Sequence, residues 1–178
     1  MKNEQQTRAL VADRNYILMF MEEVEQADTF WLWHKYSSRH RHEEAEWGYH
    51  FKMFLIAALH CSLLSVRKLN DFFTGSNGKP DDVKADRLGF QNMTQPVSTD
   101  LVKKLNKYLA HMTLPGAELR FIDWDMDDFT HPIFQRSLEF CQHLERSFLE
   151  PKMDAEILQQ VASFKRGLQA RVKRGTRN

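Results

Sequence analysis

The sequence predicts an all-α, single-domain bundle of four to five main helices, and three observations carry that expectation. Apolar residues recur at helical spacing through most of the 178 residues. Cap and stop residues fall where that spacing begins and ends. No segment outside 118–129 shows the strict alternation of a half-buried strand.

The first helix is expected over roughly 4–36. Leu10, Ile17, Val24 and Trp31 recur every seven residues, with Met21 beside them. Asp28 is the place where a break is expected. The stretch from Tyr16 to Met21 is apolar on more than one face, which suits a central helix. The second helix is expected from about Glu43 to Phe73. Trp47, Phe51, Phe54, Leu55, Ala58, Ser62, Val66 and Leu69 follow 3–4 spacing, and Thr74-Gly75-Ser76-Asn77-Gly78 supplies turn chemistry at its end. On this register Phe51, Phe54, Leu55, Leu59, Leu63 and Val66 are core.

Residues 75–98 read as an excursion, with a short helix from Pro80-Asp81-Asp82 to Leu88 that Gly89 stops. A third helix is expected from a Ser98 or Thr99 cap to His111, before the Pro115-Gly116 breaker. Glu118 to Phe129 is short and acidic, a loop or one strand. Thr130 is the expected cap of a fourth helix, with Pro132 in its first turn and Ile133, Phe140, Leu144 and Phe148 as its stripe. Beyond Pro151, a fifth helix capped by Asp154 carries Ile157, Val161, Phe164, Leu168 and Val172 on one face.

Composition narrows the function classes. The longest unbroken apolar run, Met53 to Leu59, is seven residues, against roughly 20 for a membrane span. The start of the chain has no apolar signal region. Cys61 and Cys141 read as reduced core thiols, so the chain is expected to be cytoplasmic and off the membrane. Net charge is +1, yet residues 152–178 hold seven Lys/Arg against two acids, and 165–178 is a basic C-terminal end. Such an end contacts phosphates by counterion release, or is a solvated helix terminus suited to the macrodipole. No Gly-rich strand–turn–helix motif for a nucleotide occurs.

Two constellations stay weak. His42, Glu46 and His50 fall at i, i+4 and i+8 within a stretch that also holds His34 and His40; a metal fits that spacing, a polar helix face fits it better, and the expectation is no metal and no cofactor. Asp123-Trp124-Asp125-Met126-Asp127-Asp128 starts like a Ca²⁺ loop, but Asp128 and Phe134 stand where the loop needs Gly and Glu. An acidic connection or a docking patch for a basic partner is the reading there.

The third constellation sits at helix ends. Arg67 and Asp71 are i, i+4 near the close of the second helix; Lys104 and Asn106 precede His111 at the close of the third. A cation, an amide and an imidazole gathered there suit a phosphodiester site: Arg or Lys steadies phosphorane charge, and His moves a proton near neutral pH. The same residues also suit a structural stitch, with Arg67 paired to Asp71 and His111 ending a helix.

An all-α bundle with Asn106-x4-His111 and Lys104-x6-His111 resembles the HEPN superfamily (higher eukaryotes and prokaryotes nucleotide-binding). Its motif is Arg-x4–6-His, usually with Asn, Asp or His just after the Arg, and the resemblance covers about residues 60–113. It implies a protein that binds RNA or cleaves it by metal-independent transesterification, of toxin or defence type, with the site at a homodimer interface. His111 would be base or acid, and Lys104, or Arg67 from the neighbouring helix, would stand for the motif arginine. The other reading from the residues is a non-enzymatic module that binds a protein, such as a toxin-neutralising or regulatory subunit, through the acidic 123–128 loop and Trp31, Trp33 and Trp124.

Overall fold

A computed structural model describes residues 2–39, 48–74, 83–110, 125–148 and 155–175. Among them the chain is all-α, without a strand. The helices are α1 (Lys2–Arg39), α2 (Gly48–Phe73), α3 (Thr99–Ala110), α4 (Asp127–His143) and α5 (Ala155–Gly175). A 3₁₀ turn, Ala85–Leu88, precedes α3, and a π-helical turn, Leu144–Phe148, extends α4.

Side-chain pairs fix the directions. Trp33 meets Phe54, the Ser62 hydroxyl donates to the Ala27 carbonyl at 2.8 Å, and Lys68 pairs with Glu23, so α2 runs antiparallel to α1. Tyr108 meets His60 while Val97 meets Asn70, which turns α3 back along α2. Arg14 pairs with Glu156, and Arg171 with Glu25, so α5 runs parallel to α1. Lys165 pairs with Glu145 on the extension of α4 while Arg171 lies over Phe134, so α4 opposes α5. The chain alternates in direction through five helices.

The core is aromatic. Phe20 of α1, Phe72 and Phe73 of α2, Phe90 of the loop, Phe140 of α4 and Phe164 of α5 meet at ring-centroid separations of 4.9–6.0 Å, mostly edge to face. That geometry sets the positive ring edges against negative faces. Around it close Ile17, Val24, Leu63, Val66, Leu69, Ile133, Leu144, Ile157, Val161 and Leu168. Of the stripes expected for the fourth and fifth helices, Ile133, Phe140, Leu144, Ile157, Val161, Phe164 and Leu168 are buried, with Val172 packed against them; the Phe148 side chain lies outside those described.

Several expectations are corrected. The first helix does not break at Asp28: α1 runs through it, because Arg171 Nε meets the buried carboxylate at 2.9 Å. Phe54 is not core but 43% exposed. The inward line of α2 is Leu55, Ala58, Leu59, Ser62, Leu63, Val66 and Leu69, and Phe54 lies one step round the helix from it. Phe51 lies outside the residues whose side chains are described. Cys61 is exposed for the same reason, while Cys141 is buried. The fourth helix starts at Asp127, three residues before Thr130. Asp125 Oδ1 accepts the Asp127 N–H at 3.0 Å, and two aspartates in the first turn face the positive end of the dipole. Thr130 is buried and donates its hydroxyl to the Met126 carbonyl. Pro132 therefore sits inside the helix, where it leaves the Asp128 carbonyl without a donor; Asp128 is exposed to water.

The 3₁₀ turn ends as expected at Gly89, whose φ of 81° is left-handed. Ser98 opens α3, its hydroxyl accepting from Leu101 N–H. The expected starts of the second and short helices, the Asp154 cap and most of the acidic stretch lie outside the described residues. Met53–Phe73 is long and apolar enough to cross a membrane by length and composition, with half of its window buried; the central helix of a bundle meets the same test.

Candidate functional site

Of the residues singled out at helix ends, Arg67, Lys104 and Asn106 fall on two packed helices, α2 and α3. Arg67 lies in the last turns of α2, partly exposed, with Nε 4.0 Å from Asp71 Oδ2, an i, i+4 surface pair. Lys104 is exposed on α3. Asn106, half-buried on α3, has a buried side-chain oxygen without a hydrogen-bond partner among the described residues. His111 lies outside the described residues, as do His40, His42, Glu46, Asp123 and Trp124. Among the described residues no group of three or more His, Cys, Asp or Glu could hold a metal.

A second cation–imidazole pair stands on α4, where sequence reasoning did not look. Arg136 and His143 are separated by six residues, which satisfies Arg-x4–6-His, and no other Arg and His in the chain have that spacing. The signal is present in the sequence, within a helix rather than at a helix end. Seven residues are nearly two helical turns, so both side chains share one face.

That face is covered by the segment leading from the 3₁₀ turn to α3. Arg136 is only 14% exposed at its side chain. Its Nη1 donates to the Asn92 carbonyl at 2.6 Å and its Nη2 to Thr94 Oγ1 at 3.0 Å. Its Nε lies 3.3 Å from Glu139 Oε2, which also accepts from Asn92 Nδ2 at 3.0 Å. His143 is half-buried and Nε2 donates to the Leu88 carbonyl at 3.0 Å. Because a carbonyl only accepts, Nε2 carries the proton, and in the neutral ring Nδ1 is then the basic nitrogen.

Packing fixes the ring as well. His143 stacks near Phe140 and meets Phe90 edge-on at 5.6 Å. The imidazole lies against Gly89, where a β-carbon would stand 3.5 Å from Nε2. The π-helical turn begins at the next residue, and such turns often mark functional positions.

Burial pushes the Cys141 thiol up to about 12, the Glu145 carboxylate adds to the rise and Lys165 opposes it. A thiol so protonated is no nucleophile at neutral pH. A groove of about 430 Å³ between α1 and α5 is lined by Leu18, Met21, Glu22, Gln160 and Phe164 among others, and by none of the residues above.

No family model, curated protein or solved structure matches this chain.

Proposed function

We propose that the chain is a HEPN-like RNA-binding protein that cleaves RNA by transesterification, with Arg136 and His143 as the reacting pair. The observation that carries this reading is the Arg-x6-His pair on one face of α4, its imidazole held in a single orientation by Leu88, Gly89, Phe90 and Phe140. The all-α fold is what the family resemblance implies, and Arg136 offers an arginine at the motif spacing, which Lys104 and Asn106 do not, though Ser137 follows it where the family usually has Asn, Asp or His.

In this mechanism His143 Nδ1 takes the proton of a ribose 2′-hydroxyl. The 2′ oxygen forms a bond to the adjacent phosphorus, the bond to the 5′ oxygen breaks, and that oxygen takes a proton from a water that the His143 imidazolium reprotonates. The products are a 2′,3′-cyclic phosphate and a 5′-hydroxyl. Arg136 offers its two-pronged donor to the phosphorane oxygens. The reading carries with it a cytoplasmic homodimer with the site at the two-fold interface.

The test is cleavage of single-stranded RNA in EDTA. The parent should cleave. His143→Ala should lose about 10²–10⁴-fold, and Arg136→Ala should also fall. His111→Ala decides between the two histidines: unchanged cleavage assigns the reaction to His143, and loss confined to His111→Ala returns it to the Arg67/Lys104/Asn106 cluster. Light scattering should give twice the 21.1 kDa monomer mass.

A second reading is a non-enzymatic module that docks a protein. What favours it is the exposed aromatic group where α1 ends and α2 begins. Trp33, 48% exposed, packs on Phe54 at 5.7 Å and edge-on against Phe30 at 5.8 Å. A parent that neither binds nor cleaves RNA puts this reading first.

A further inference from the structure

Residues 91–96 are tied to the molecule differently from the residues on either side. Phe90 is buried in the aromatic core and Leu88 is fully buried. At the other end Val97 is buried, and its N–H donates to Asn70 Oδ1 at 3.2 Å. Between these anchors Gln91, Asn92 and Thr94 are exposed, and Met93, Gln95 and Pro96 are half-buried. The middle is held to α4 by Arg136 and Glu139: two bonds from the guanidinium, one from Asn92 Nδ2 to Glu139. Thr94 Oγ1 in turn donates to Asn92 Oδ1 at 2.9 Å.

Two oxygens thus occupy the fork of the Arg136 guanidinium, one from the backbone and one from a hydroxyl. Two oxygens of a phosphodiester would take the same pair of N–H donors. We infer that 91–96 is a latch: the chain's own oxygens hold Arg136 in the closed state, and an RNA phosphodiester displaces them in the open one. This rests on the assignment of Arg136 and His143 as an RNA site.

Opening leaves Phe90 and Val97 in place, so it breaks partly solvated polar contacts and lifts the half-buried Met93 from its packing against the core. Segments of that kind lie at the low end of local stability. The latch acts on one member of the pair. His143 is held by Leu88, on the anchored side of Phe90, so its orientation survives opening while the guanidinium is released. Glu139 stays beside Arg136 Nε in both states as its i+3 neighbour and holds it toward the face.

The test uses Asn92→Ala combined with Thr94→Val, which removes the side-chain half of the latch and leaves Arg136 and His143 intact. Opening is read from proteinase K nicking within 91–96, which follows the open population when closing is fast. Binding is read with a fluorescent single-stranded RNA at fixed low salt, since affinity depends on salt. Nicking and RNA affinity should each rise by roughly tenfold, the worth of one to two net hydrogen bonds. Adding Arg136→Ala should remove the gain in affinity. Arg136-dependent RNA binding in the parent with no gain in the latch variant would overturn the latch and leave the RNA site standing. Unchanged nicking would also overturn it. Absence of Arg136-dependent RNA binding in both proteins would overturn the RNA site, and the latch with it.

Discussion

Asp28 and Arg171 meet at 2.9 Å across the seam between α1 and α5, both largely withdrawn from water. The guanidinium also reaches Glu25 at 3.0 Å and lies over the Phe134 ring. The helix that carries Asp28 is continuous from Lys2 to Arg39.

Breaking that pair from one side should be severe. Arg171→Ala takes the Nε contact at 2.9 Å away from Asp28, which is 7% exposed, and should cost about 3–5 kcal/mol. Replacing both partners by apolar residues, Asp28→Leu with Arg171→Met, should recover most of the loss, because no uncompensated charge remains buried. Urea unfolding of the single and double variants measures the difference.

The aromatic core should be unforgiving and the outer face of α2 tolerant. Phe140 is fully buried among the rings of Phe20, Phe72, Phe73, Phe90 and His143. Phe140→Ala should cost about 3–5 kcal/mol. Phe54→Ala, at an exposed position, should stay within about 1 kcal/mol of the parent. A pair of thermal melts separates the two.

The thiols should differ in reactivity and in pH dependence. Cys61 is exposed and should react with a thiol reagent in the folded protein, whereas Cys141 should react only on unfolding. The Cys141 thiol titrates near 12 when folded, against 9.0 for a free thiol. The unfolded chain therefore releases this proton first. The contribution is fully present below about pH 9 and is lost as pH rises from there toward 12. The parent should lose about 3–4 kcal/mol more than Cys141→Ala over that window, measured by denaturant unfolding at stepped pH.

Gly89→Ala tests the left-handed turn beneath the imidazole. The new methyl meets His143 at ordinary contact distance, so the cost comes from the backbone at φ 81°. The expected loss is about 1–2 kcal/mol, read as a lower melting temperature. An unchanged melting temperature would show that the turn relaxes to negative φ.

Much of the fold was legible because its signals are local. Thr74 and Gly89 mark the ends of α2 and the 3₁₀ turn, and the stripes Ile133–Phe140–Leu144 and Ile157–Val161–Leu168 are buried as their spacing requires. Where the expectation failed, a partner distant in sequence had decided the outcome. Asp28 looked like a break until Arg171, 143 positions later, is placed beside it. Phe54 and Cys61 were assigned inward because a strongly apolar helix gives little contrast between its faces. The start of α4 was misread at Thr130, since the Asp125–Asp127 turn offers an earlier and equally polar cap.

The candidate site was legible only in part. Arg67 and Asp71 pair as their spacing suggests. Arg136 and His143 stand at the spacing Arg-x6-His, yet a cation inside an amphipathic helix reads as surface. What makes Arg136 unusual is the segment folded over it, and its bonds to Asn92 and Thr94 span more than 40 residues of chain.

The six-ring core has a consequence for cooperativity. Its phenylalanines come from α1, α2, the 88–97 segment, α4 and α5, so neither the α1–α2 pair nor the α4–α5 pair owns a complete interior. Phe20 touches rings from α2, α4 and α5 at once, and losing any of those elements opens the cluster to water. Half-molecules cut between α3 and α4 therefore share one folding transition: each alone should be unfolded, and mixing the two should restore helix in both together.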